Sequence, residues 1–145
     1  MKTTPAPTVP QTLLADLTAH LALCQEVLDV VTAETEALQN PDPFPGPAFT
    51  CRRNALLPRL TQSLQSLSRS RTAWAALPVA TRARCPEADT LMQRNQELIM
   101  RIMVLDRENE QSLLRRGLLS PASLPPSQRQ HPHLVARAYC PNPSA

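Results

Sequence analysis

Prolines cut this sequence into a few long intervals, and each interval repeats its apolar residues at heptad spacing. They stand at 5, 7 and 10, at 41, 43, 45 and 47, at 58, 78 and 86, and from 121 onward. A proline lacks the backbone donor and crowds the preceding turn, so clusters of them mark where a helix must stop. The intervals at about 11–39, 57–77 and 87–116 are therefore the three places where a long helix fits.

In the first interval Leu14, Leu17, Leu21, Cys24, Leu28, Val31, Thr35 and Leu38 alternate spacings of three and four, which makes one continuous seam. Leu13, Val27 and Val30 widen it, and a wide stripe points to a bundle rather than a bare two-stranded coil. Thr8 or Thr12 is placed to cap its start. Cys24 reads as a small core residue, and His20, beside the seam, as a partly buried structural imidazole. The run Asn40 to Pro47 then forces a connector, from which Phe44 and Phe49 are expected to fold back over the bundle end.

The second interval places Leu57, Leu60, Leu64, Leu67, Arg71 and Trp74 on one seam. Pro58 fits the first turn of a helix starting near Leu57, or else kinks a longer helix begun at Cys51. Ser63, Ser66, Ser68 and Ser70 read as a solvated face. Residues 79–86 make a short connector with room for one helical turn.

The third interval opens with Glu87 and Asp89, where the helix dipole favours acids. Leu91, Asn95, Leu98, Ile102, Leu105 and Asn109 form its seam, flanked by Met92, Ile99, Met103 and Leu113. Asn95 and Asn109 read as hydrogen bonds across the bundle, or as polar members of a groove that waits for a partner helix. Arg115-Arg116-Gly117 is a stop signal. Residues 118–145 hold six of the sixteen prolines and read as an extended or disordered tail. Within it Leu134, Val135 and Tyr139 suggest a short docking helix. The expectation is an all-α fold, an antiparallel three-helix bundle of coiled-coil type over residues 1–117, followed by the tail.

Composition excludes the main alternatives. Two glycines and four aromatic residues in 145 cannot furnish the turns and strands of a β-sandwich or barrel. No two glycines lie close together, so there is no phosphate-binding loop. Charge is segregated: residues 1–42 carry Lys2 against six acids, and residues 43–86 carry seven Arg and no acid. Residues 87–114 carry three Arg against six acids, and the net charge is +3. An arginine stripe from Arg52 to Arg84 would suit a nucleic-acid backbone, but it lacks interleaved aromatics and the acids of the first helix answer it. Nucleic-acid binding is not expected.

The four cysteines are far apart, with no CxxC pair. His131, His133 and Cys140 are metal-ligand types without a fourth partner, so no metal and no cofactor is expected. No catalytic set emerges from the serines and histidines, and the chain does not read as an enzyme. No run is apolar enough to span a membrane. The N-terminus shows no apolar leader region, so a cytoplasmic location is expected.

Two stretches resemble the FlgN-type flagellar export chaperones. One is the helix end Glu34-Thr35-Glu36-Ala37-Leu38, followed after the connector by Arg53-Asn54-Ala55-Leu56-Leu57-Pro58-Arg59-Leu60. The other is Leu91-Met92-Gln93-Arg94-Asn95-Gln96-Glu97-Leu98-Ile99. Together they cover about residues 11–116; the proline-rich connector and the tail have no counterpart in the family pattern. The resemblance implies a non-enzymatic cytoplasmic chaperone that holds the amphipathic helical ends of secreted hook–filament junction proteins. The positions matching the family's client-binding helix are Leu91, Asn95, Leu98, Ile99, Ile102, Met103 and Leu105. A structural coiled-coil adaptor or a self-assembling helical subunit is the competing expectation.

Overall fold

The computed structural model describes residues 3–118. These form four helices, α1 (Val9–Gln39), α2 (Gly46–Ala75), α3 (Val79–Ala83) and α4 (Pro86–Arg115), with no strand among the described residues. The described part of the chain is all-helical, in keeping with the heptad spacing and the scarcity of glycine.

The ends of the helices follow from local chemistry. Thr8 caps α1 reciprocally with Gln11: the Gln11 backbone N–H donates to the Thr8 hydroxyl at 3.4 Å, and the Thr8 N–H to the Gln11 side-chain oxygen at 2.9 Å. That is a capping box, which satisfies two donors at the helix start. α4 begins on Pro86, whose missing donor costs nothing there, with Glu87 and Asp89 in the first turn. It ends at Gly117, whose φ of 70° is open to glycine without strain. There the Leu118 N–H reaches the Leu113 carbonyl at 3.0 Å and the Gly117 N–H the Leu114 carbonyl at 3.1 Å, closing a Schellman motif.

α2 starts at Gly46, ahead of both Leu57 and Cys51, and ends at Ala75; of the two alternatives for Pro58 it follows the longer helix, with the proline in its interior. Pro47 and the turn bond from the Gly46 N–H to the Phe44 carbonyl, 2.9 Å, start the helix right after the connector. An interior proline removes one backbone hydrogen bond and crowds the carbonyl four residues back. The residues ahead of it offset that cost through side chains that α2 buries, Phe49 and Leu56. Phe49, which is buried, stacks on Phe44 with centroids 5.3 Å apart and planes 11° apart.

The chain divides into two compact units. The first holds the described part of Met1–Gln25 together with Leu57–Leu98; the second holds Glu26–Leu56 together with the described residues from Ile99 onward. In the first unit Leu13 and Leu17 of α1, Leu67 and Trp74 of α2, Cys85 and Ala88 close a dry core, with Leu14, Leu77, Leu91 and Met92 packed on it. The contacts His20–Ser63 and Asp16–Ser70 show that α1 and α2 run antiparallel there. In the second unit Asn109 reaches the Val31 carbonyl and Arg116 the Leu38 carbonyl, so α4 runs parallel to α1. Its buried residues include Leu28, Val30, Val31 and Leu38 of α1, Phe49 and Leu56 of α2 and Leu113 of α4.

The α2 seam also differs from its expectation. Leu60, Leu67 and Trp74 face inward as predicted, but Leu64 and Arg71 do not; Leu64 is 53% exposed. The inward positions between them are Ser63 and Ser70, and further back Arg53 and Leu56. The spacing from Phe49 through Arg53, Leu56, Leu60, Ser63, Leu67 and Ser70 to Trp74 is a regular heptad with three polar members, Arg53, Ser63 and Ser70. The expected seam is therefore displaced by one residue at Leu64 and Arg71, to Ser63 and Ser70.

Candidate functional site

Three groups of residues stand out on the two units: polar contacts inside each, a groove on the first, and an apolar stripe on the second.

In the first unit two of the four serines expected on a solvated face, Ser63 and Ser70, meet α1, while Ser68 is exposed as expected. The Ser63 hydroxyl lies 2.8 Å from His20 Nδ1, and the Ser70 hydroxyl donates to the Asp16 carboxylate. Asn95 donates through Nδ2 to the Leu17 carbonyl at 3.2 Å and to the Leu91 carbonyl at 2.9 Å. A serine against a histidine invites comparison with an activated nucleophile. Ser63, however, sits in mid-helix, where the backbone N–H groups are spent on the helix itself, so no oxyanion donors stand beside it. His20 is 2% exposed and burial holds its imidazole below the ordinary value of 6.5. The pair works as a buried polar link between helices. Burial also pushes the Cys24 thiol up, as befits the core role read from its heptad position.

In the second unit a single cation serves two buried acids. Arg53 of α2 donates to Glu34 of α1 and, at 2.7 Å, to Asp106 of α4. Part of the segregated charge of the sequence thus meets in a buried junction. Burial would lower the Arg53 value, but the two carboxylates outweigh it and hold the guanidinium charged. Burial pushes Glu34 up against the pull of Arg53. Beside them Asn109 donates to the Val31 carbonyl at 3.0 Å and accepts from the Thr35 hydroxyl at 2.7 Å. Asn95 and Asn109 each bond an α1 carbonyl 78 residues earlier in the chain, which fixes the register of α4 on α1 within each unit. Glu110 is 3% exposed and its Oε1 has no partner; burial first, then Asp106, push its carboxyl up while Arg107 pulls it down.

These groups give the two units opposite responses to acid. A depressed histidine contributes stability that is present above pH 6.5 and lost as the pH falls below it. A raised carboxyl does the reverse, because the folded state binds the proton more tightly than the unfolded one. Lowering the pH from 7 toward 5 should therefore speed amide exchange around Leu17–Leu23 and slow it around Asp106–Leu113, once intrinsic rates are corrected. Glu110→Gln should reduce the second response, leaving the share that Glu34 contributes, and leave the first unchanged. Equal slopes in both units would contradict this assignment.

A groove of about 410 Å³ lies on the first unit beside the start of α1 and the end of α2, lined by Thr12, Asp16, Ser66, Arg69, Ser70 and Ala73. Asp16 already takes the Ser70 hydroxyl, and Arg69 reaches Ser66 at 3.4 Å. Its polar groups satisfy one another, and a ligand would have to displace those bonds. Among the described residues no group of three or more His, Cys, Asp or Glu is arranged to hold a metal ion. His131, His133 and Cys140 lie outside the described residues. No described helix is long and apolar enough to cross a membrane.

The apolar stripe lies on α4. Ile99, Met100 and Val104 are 38%, 56% and 55% exposed, and Met103 is half-buried. At 100° per residue these four follow one another around the helix, from the edge of the core-facing side outward. Of the seven positions matched to a client-binding helix, Leu91 packs on the first unit's core, Asn95 is buried, and Leu98 is half-buried. Ile102, Met103 and Leu105 are half-buried in the second unit, and Ile99 is open. The sequence reading missed Val104 because it lies off both the seam and the flanking stripe.

No family model matches the chain, and no curated protein or solved structure matches it.

Proposed function

We propose that this chain is a non-enzymatic, cytoplasmic export chaperone of the FlgN type, holding the amphipathic helical end of a secreted hook–filament junction protein on α4. In this reading α1, α2 and α4 form one antiparallel three-helix bundle, with α3 as a link. The observation that carries the proposal is the α4 stripe. Four large apolar side chains adjoin on one helix, three of them open to water, while the polar residues Asn95, Asp106 and Asn109 turn inward. A soluble chain that spends exposed surface this way gains from covering it. Two of the four are methionines, whose unbranched side chains adapt to varied partners. Helix-in-groove binding needs this kind of apolar track.

The same stripe would serve a self-assembling subunit, and solution mass separates the two. The purified chain should be a monomer or small oligomer that takes up the helical end of a junction protein at fixed stoichiometry. Light scattering that showed a long homo-oligomer with no uptake would favour the structural subunit instead.

A further inference from the structure

We propose that Glu110 is the anchor for a cation on the client: the helix taken up by the α4 stripe carries an Arg or Lys about one heptad beyond its apolar side chains, and that cation pairs with the Glu110 carboxylate. The inference rests on the client reading above and names the chemistry by which the site selects a partner.

Ile99, Met103, Asp106 and Glu110 follow one another at spacings of four, three and four, so they stand in one line along α4. The line opens on the apolar stripe and closes on two acids. Helical side chains lean toward the N-terminus of their helix, which carries the Glu110 carboxyl back over the turn that holds Asp106, toward Met103. All four residues belong to the second unit.

The buried charges along this line are not balanced. Arg53 is shared between Glu34 and Asp106. Glu110 is 3% exposed and its Oε1 has no hydrogen-bond partner. Arg107, three residues before it, is exposed, and it pulls the Glu110 carboxyl down by less than burial and Asp106 push it up. A buried acid without a bonded partner is costly to keep. A cation brought in on a docked helix would meet that carboxyl where water is already largely excluded, and a charge-assisted bond is stronger there than at the surface. The apolar stripe by itself accepts any apolar face. Glu110 makes the site choose, because a partner with a neutral or acidic residue at that point leaves the buried carboxyl unanswered.

Two fluorescent helical peptides of about 20 residues test this on the full-length chain. They share one apolar face and differ only in the residue one heptad beyond it, which is arginine in one and citrulline in the other. Citrulline has the shape of arginine without its charge, so the first comparison needs no change to the protein. The wild-type chain should bind the arginine peptide at least about tenfold more tightly than the citrulline peptide. Glu110→Gln keeps the shape of the side chain and removes its charge, and it should bring the two affinities within about twofold of each other. A preference for arginine that Glu110→Gln erases supports the anchor. Equal binding of both peptides by the wild type, or a preference that survives in Glu110→Gln, overturns the anchor and leaves the client reading in place. Met100→Asp with Val104→Asp should lose both peptides. If this double variant binds them as well as the wild type does, or if the wild type binds neither, the stripe is not the site and the client reading falls together with the anchor.

Discussion

Replacing Arg53 by methionine should cost the second unit about 3–5 kcal/mol, because Glu34 and Asp106 would be left buried without a cation. The side chains of all three are largely out of water: Arg53 is 17% exposed, Glu34 3% and Asp106 11%. The loss reflects the stranded acids more than the strength of the junction. Restoring neutrality should therefore recover most of it, and the triple change Arg53→Met, Glu34→Leu, Asp106→Leu is expected to be more stable than Arg53→Met alone. The adjacent Arg52 is the control. It is exposed and lies 5.7 Å from the centroid of the Phe49 ring, so Arg52→Ala should cost at most about 1 kcal/mol. Urea titrations of the four proteins decide it. Equal losses for Arg52 and Arg53 would mean that the buried junction does not form.

The second large effect lies in the first unit. Leu13 is fully buried against the core of Leu17, Leu67 and Trp74, so Leu13→Ala should cost about 2–5 kcal/mol. Leu64, which the leucine spacing places on the α2 seam, is more than half exposed. Leu64→Ala should shift stability by no more than about 0.5 kcal/mol. A comparable loss at both positions would restore the leucine-only seam and refute the polar one, with Ser63 and Ser70 facing α1.

What was legible in the sequence was the apolar repeat and its punctuation. The α1 seam, the stop at Gly117, the start at Pro86, the core role of Cys24 and the bonds of Asn95 and Asn109 to α1 all rest on local spacing or local end chemistry. The rest depends on partners far apart in sequence. Ser63 becomes inward-facing only because His20 stands 43 residues earlier to receive it. Arg53 reads as one of many arginines until Glu34 and Asp106 converge on it from two other helices. The early start of α2 was obscured by Pro58: a proline rule weighs the lost hydrogen bond and not the burial of Phe49 and Leu56 ahead of it. The α4 stripe was half legible, since Ile99 and Met103 flank the seam. Val104 was missed because periodicity locates the buried side of a helix, while exposure on the other sides is set by what packs there.

The most direct measurement is the affinity of the purified helical end of a hook–filament junction protein for the wild-type chain and for Met100→Asp with Val104→Asp. Both residues are exposed, so the double variant should keep its helicity and its urea midpoint. The chaperone account predicts that binding is lost while folding is retained. Undiminished binding by the folded double variant, or no binding by the wild-type chain, would contradict it.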